Sequence, residues 1–178
     1  LCLSFKINAP YRLGNYAENK LTLVVLAAGM GSRYRGLKQM DSFIPEAETN
    51  IDFSLYDALQ VAFGKVIFII RKSFEEVFKA NFNKKLARKI EIEYVFHELN
   101  TVHKKYIHPE SVKPWRTGHA LLITKEVIKG NFAVINADDF YSRHTYNAIA
   151  KQLIHTDQNS YDFSMLAYSL KNTLSANR

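Results

Sequence analysis

Apolar residues along this chain fall into two arrangements. Some stand in short continuous runs, and others recur every third or fourth position. Leu21, Leu23, Val24, Val25 and Leu26 make the first run. Val66-Ile67-Phe68-Ile69-Ile70 makes the second, Ile90 to Phe96 alternates before turning apolar, and Phe132-Ala133-Val134-Ile135 makes a fourth. Runs of this length and β-branched character predict strands, those without polar interruption being buried on both faces. Between them, Leu55, Leu59, Ala62 and Phe63 keep a helical period over 51–63, with Gly64 placed to stop the helix. Ser73-Phe74-Glu75-Glu76 has the form of a capping box and opens a helix reaching about Leu86. Thr117 or Gly118 opens another helix, through Ile128, and the turn Gly130-Asn131 leads into the fourth strand. A last helix runs from about Thr145 to His155, with Tyr146, Ile149, Ala150 and Leu153 on one face. Phe163 to Tyr168 reads as a final strand. This alternation predicts an α/β fold: an open, mostly parallel, Rossmann-like sheet with helices on both faces.

Three stretches lack a period. Residues 1–20 contain Pro10, Gly14 and several Asn, and read as a loosely ordered arm before a domain spanning 21–178. Residues 40–50 read as a loop, and 98–117, rich in His, Lys and Pro, as an excursion over a site.

Composition narrows the function classes. A chain of 178 residues with 47% apolar content can bury a sizeable core as one domain. Its 24 Lys+Arg against 17 Asp+Glu suit phosphate-rich ligands. The cations are scattered without an aromatic-basic stripe, so the expectation is a solvated basic surface and no nucleic-acid partner. A single cysteine, Cys2, excludes an internal disulfide framework and a cysteine-based zinc cluster. No apolar run approaches a membrane span, and Leu1 to Phe5 is too short for the apolar core of a signal peptide. The expectation is a cytoplasmic protein without a membrane partner.

Ligands of such sheets bind beyond the carboxyl ends of the strands, so the chemistry is sought there. After Leu26 the chain reads Ala27-Ala28-Gly29-Met30-Gly31-Ser32, then Arg33, Arg35 and Lys38. Small residues let backbone N–H groups approach phosphates, and the cations would neutralise them. A plain glycine-rich turn with surface cations is the other reading. The Walker frame is broken by Leu37, and Tyr34 occupies the third glycine position of the dinucleotide fingerprint. After the fourth strand comes Asn136-Ala137-Asp138-Asp139. A carboxylate pair there suits either Mg²⁺, held by one or two carboxylates and substrate oxygens, or the N-cap of the next helix, with Asp138 the better metal candidate.

Leu26 to Arg33 with Lys38-Gln39 resembles the L-A-A-G-x-G-S-R signature, followed by lysine, of sugar-phosphate nucleotidyltransferases. Val134 to Asp138 resembles the segment that carries their metal-binding aspartate. Thr117-Gly118-His119-Ala120-Leu121 is similar to the G-x-G-H-A segment of the uridylyl- and thymidylyltransferases, where glycine lets the base approach the backbone. A glutamine that reads the base in those enzymes is replaced here by His97, and Arg116 stands where glycine is common. His97 and His119 also read as ordinary helix-end or loop histidines.

The resemblance implies the nucleotide-diphospho-sugar transferase fold and Mg²⁺-dependent transfer of a nucleoside monophosphate from a triphosphate, UTP or dTTP, to a sugar 1-phosphate or similar acceptor. Pyrophosphate leaves. Arg33 and Lys38 take the catalytic roles. Leu26, Ala27, Ala28, Gly29, Met30, Gly31, Ser32, His97, Thr117 and Gly118 hold the nucleotide, and Asp138 holds the metal. Enzymes of this kind continue further, so the expectation is a C-terminally truncated nucleotide-binding front. A glycosyltransferase-like domain and a non-catalytic nucleotide-binding regulatory domain are the alternatives.

Overall fold

The computed structural model describes residues 21–29, 49–86, 89–98, 117–169 and 171. Strand β1 (Leu21–Leu26) is followed by α1 (Asn50–Leu59), β2 (Phe63–Ile70), a 3₁₀ turn (Lys72–Phe74), α2 (Glu75–Leu86) and β3 (Glu91–Phe96). Then come α3 (Thr117–Leu122), β4 (Phe132–Asn136) and α4 (Arg143–His155). The four strands form one sheet in the order β3-β2-β1-β4, and every pairing is parallel. The chain therefore steps outward from β1 through β2 to β3, then returns across β1 to lay down β4. The direction of winding reverses between β1 and β4, which is where open α/β sheets form a ligand crevice.

Alternate residues of the central strands bury against different helices. Leu23 and Val25 of β1 and Val66, Phe68 and Ile70 of β2 join Leu55, Phe78, Phe82, Tyr146 and Ala150 in a core shared with α1, α2 and α4. Val24, Ile67 and Ile69 face the other way, onto Ala120 and Leu121 of α3. Helices thus cover both faces, as the unbroken apolar runs require. Aromatic packing anchors the larger core: the Phe68 ring stacks on Phe82 at 5.1 Å and on Tyr94 at 5.6 Å.

Several boundaries differ from those the sequence predicts. Helix α1 stops at Leu59, and Phe63 and Gly64 belong to β2, because the Phe63 side chain enters the core edge-on to Tyr146 and the strand starts opposite Leu21. The capping box at Ser73 does not form: Ser73 lies inside the 3₁₀ turn, and Glu75, the first residue of α2, pairs with Lys72 and Lys79. Helix α3 ends at Leu122 rather than Ile128. The Thr124 hydroxyl donates to the Leu121 carbonyl at 2.6 Å and the backbone tightens to successive turns, a side-chain competition that ends helices.

Strand β4 is not buried on both faces. Ala133 and Ile135 face the core while Phe132 and Val134, on the opposite face, are 38% exposed, and among the described residues only β1 pairs with this strand. The predicted strand at Phe163–Tyr168 is irregular chain, with Phe163 and Met165 almost fully exposed. A cavity of about 550 Å³ lies between this segment and β4, so no ladder joins them, and an apolar run without a pairing partner does not become a strand. Gly130 turns the chain into β4 with a positive φ of 83°, and the neighbouring Asn131 amide donates to the Leu153 and Thr156 carbonyls at the end of α4.

Candidate nucleotide and metal site

Three chain segments leave the sheet side by side at its carboxyl edge. The Ala27 N–H donates to the Ile69 carbonyl at 2.9 Å, the Ala137 N–H to Leu26 at 3.1 Å, and the His97 N–H to Ile70 at 2.8 Å. The ladder therefore continues one residue past β1, β4 and β3, fixing the exit of each. Ala27 is fully buried, Ala28 partly buried and Gly29 exposed, so the backbone emerges from the core beside Asp138. Of the expected phosphate loop, Leu26 to Gly29 are described and leave the sheet at the carboxyl end of β1. Met30, Gly31, Ser32, Arg33 and Lys38 lie outside the described residues.

The two aspartates after β4 have separate surroundings. The Asp139 carboxylate accepts from the Asn136 side-chain amide at 2.7 Å and the Tyr141 hydroxyl at 3.2 Å, while that hydroxyl accepts from the Asn136 N–H at 3.2 Å. Burial pushes the Tyr141 pKa up, and the negative charge of Asp139 adds to this against the opposing Asn136 N–H. Tyr141 accordingly stays protonated as a donor. Asp139 is thus a turn-closing residue. Neither aspartate caps α4, whose N-cap is Ser142. The Asp138 carbonyl accepts from the Asn50 side chain at 3.1 Å, but its exposed carboxylate has no hydrogen bond or ion pair among the described residues.

An exposed carboxylate without a protein partner fits a hard divalent cation that completes its shell with water and substrate oxygens. No group of three His, Cys, Asp or Glu among the described residues is arranged to hold a metal ion, so such an ion would draw most of its ligands from elsewhere.

On the far side of the edge, His97 and His119 are both buried, and His97 Nε2 lies 3.0 Å from His119 Nδ1. One ring donates and the other accepts, which joins the end of β3 to α3. His119 thus stands in the first turn of α3, the helix-end position the sequence allowed, and the contact commits one His97 nitrogen to a neighbour. Thr117 and Gly118 are exposed at the start of α3, and among the described residues a Cβ built on Gly118 meets nothing within 4 Å.

Sequence reasoning missed Asn50 and the histidine pair, whose partners lie 88 and 22 positions away. No local spacing signals contacts of that range. The roles of Asn136 and Tyr141 in holding Asp139 were closer to hand, as all three lie within one turn.

The chain is similar to several solved structures. UDP-glucose pyrophosphorylase complexed with UDP-glucose matches with a TM-score of 0.51 and 15% identity over 77% of this chain and 54% of that one. The likeness shows the fold, an α/β architecture with an all-parallel sheet. UTP-bound UGPase from Acinetobacter baumannii matches at TM-score 0.48 and 16% identity, over 77% of this chain and 54% of that one. Rv0371c from Mycobacterium tuberculosis H37Rv matches at TM-score 0.45 and 18% identity, over 75% of this chain and 60% of that one. The chain therefore spans between 54% and 60% of the length of these proteins. No protein-family model and no curated protein sequence matches it. Among the described residues, no helix is long and apolar enough to cross a membrane.

Proposed function

We propose that this chain is the nucleotide-binding domain of a nucleotidyltransferase that moves a nucleoside monophosphate from UTP or dTTP to a sugar 1-phosphate or related phosphorylated acceptor. The observation that carries this reading is a conjunction at the winding reversal. The small-residue exit of β1 and the Asp138 carboxylate, which has no partner among the described residues, follow the ends of adjacent parallel strands.

Backbone at Ala28 and Gly29 begins the phosphate cradle, and by resemblance the remainder runs through Ser32. An acceptor phosphate oxygen attacks the α-phosphorus as the bond to pyrophosphate breaks, so charge neutralisation and alignment carry most of the catalysis. Arg33 matches the oxygens of the departing pyrophosphate with its planar fork, and Lys38 places a point charge near the α-phosphate or the acceptor. Asp138 holds Mg²⁺, which when bound neutralises phosphate charge. Gly118, with open space beside it among the described residues, admits the base, and His97, whose Nε2 is bonded to His119, brings an imidazole to the same edge in place of an amide.

The test is pyrophosphate release. UTP or dTTP with Mg²⁺ and glucose 1-phosphate or a related sugar 1-phosphate should yield pyrophosphate and a nucleotide-sugar, and Lys38→Ala should depress turnover far more than nucleotide affinity. Nucleotide binding by calorimetry without pyrophosphate from any acceptor would replace this reading with a non-catalytic binding domain. Consumption of a nucleotide-sugar would replace it with a glycosyltransferase.

A further inference from the structure

Helix α1 holds the turn that carries Asp138 at both of its ends. At one end the Asn50 side-chain amide donates to the Asp138 carbonyl at 3.1 Å. At the other, Arg143 Nε lies 3.2 Å from Asp57 Oδ1, and its guanidinium lies 5.7 Å from the centre of the Tyr56 ring. Asn50 is not spent on its own helix. The N-terminus of α1 is closed by Thr49 and Asp52, which exchange backbone-to-side-chain hydrogen bonds in a capping box, and Lys85 fixes Asp52 from α2 at 2.9 Å. The Asn50 amide is therefore available for a contact across the fold, and among the described residues its donation to Asp138 is the one hydrogen bond that side chain makes.

A carboxylate that ligates a metal is only as well placed as its own backbone, and a tethered carbonyl restricts rotation of the Asp138 peptide. We infer that Asn50 is a positioning residue for Asp138, fixing the aspartate from helix α1 so that its free carboxylate is presented to a divalent cation. This inference rests on the reading of Asp138 as the metal-holding residue. Its chemistry is that of an outer-shell partner, whose loss typically weakens metal affinity ten- to a hundredfold.

The experiment is Mn²⁺ titration followed by electron paramagnetic resonance, with saturating UTP, on the wild type, Asn50→Ala, Asp138→Ala and the double variant. Asn50→Ala should weaken Mn²⁺ binding about tenfold, the lower end of that range because the contact is exposed. Melting should stay close to the wild type, since the capping box is intact. Asn50→Leu, similar in shape but without a donor, should behave as alanine does. In the Asp138→Ala background Asn50→Ala should change Mn²⁺ affinity no further, because the two act through one group. Wild-type affinity in both Asn50 variants, with Asp138→Ala defective, overturns the positioning role and leaves the metal reading standing. Unchanged affinity in Asp138→Ala overturns the metal reading itself.

Discussion

Adding one methyl group at Gly118 separates what the protein needs from what a nucleotide needs. Gly118 is the second residue of the six-residue helix α3, it is exposed, and its φ is not positive. A Cβ there would meet nothing within 4 Å among the described residues. In Gly118→Ala the fold therefore gains helix propensity without a clash, about 0.5–1 kcal/mol. For a domain of this size that corresponds to a rise in Tm of roughly 1–4 °C. If a base lies against the Gly118 backbone, the same methyl group overpacks the complex by about 1–3 kcal/mol. That amounts to a loss of nucleotide affinity of roughly five- to 150-fold. Scanning fluorimetry without ligand measures the first effect, and calorimetry with UTP and Mg²⁺ the second. A higher Tm with weaker binding is the expected pair. Unchanged UTP affinity would refute base packing at Gly118, and a fall in Tm would refute the open space inferred beside it.

Three further outcomes follow from the charges and buried hydroxyls. Burial acting alone would lower the Lys65 pKa, but its bonds to Glu93 at 2.6 Å and Glu91 at 3.2 Å outweigh that and hold it above 10.5. The stability it contributes is present below that value and lost as pH climbs through the folded pKa, so urea unfolding should show Lys65→Met about 1 kcal/mol less stable than wild type at pH 8 and converging with it at alkaline pH. The Tyr146 hydroxyl is buried beside that of Ser54, and neither makes a well-aligned hydrogen bond among the described residues, so Tyr146→Phe should change stability by no more than about 1 kcal/mol. Burial also raises the Tyr146 pKa, so wild type should lose stability above pH 10 more steeply than this variant in the same urea series. Asp139→Ala, which releases Asn136 and Tyr141, should lower Tm by a few degrees, whereas Asp138→Ala should leave Tm unchanged and abolish the Mg²⁺ dependence of UTP binding.

The central sheet was legible because its cause is local. Val66 to Ile70 has no polar position to turn toward water, so it must be covered on both sides, and parallel pairing between helices does that. The strand order, with its winding reversal between β1 and β4, is set by pairing across the sheet and is not encoded in that alternation. What misled was pattern without context. Phe163 to Tyr168 has the composition of a strand but no ladder partner among the described residues, and β4 has a strand's run but only one neighbour. Helix ends were misplaced where side chains intervened: the Thr124 hydroxyl shortened α3, and the demand of Phe63 for the core pulled it into β2. At the site, the sequence favoured Asp138 over Asp139 as the metal candidate but carried no contact that told them apart. Separation came from Asn136 and Tyr141 taking Asp139 and α1 taking the Asp138 backbone. The histidine pair depends on the ends of β3 and α3 meeting in space, which no single segment encodes.

The most direct measurement is the anomalous-scattering map of crystals grown with a non-hydrolysable UTP analogue and Mn²⁺. The account predicts an Mn²⁺ peak in direct coordination with an Asp138 Oδ atom, shared with phosphate oxygens lying along the Ala28-Gly29 backbone. A triphosphate bound elsewhere, such as between β4 and residues 162–168, or a metal that leaves Asp138 without contact, would contradict it.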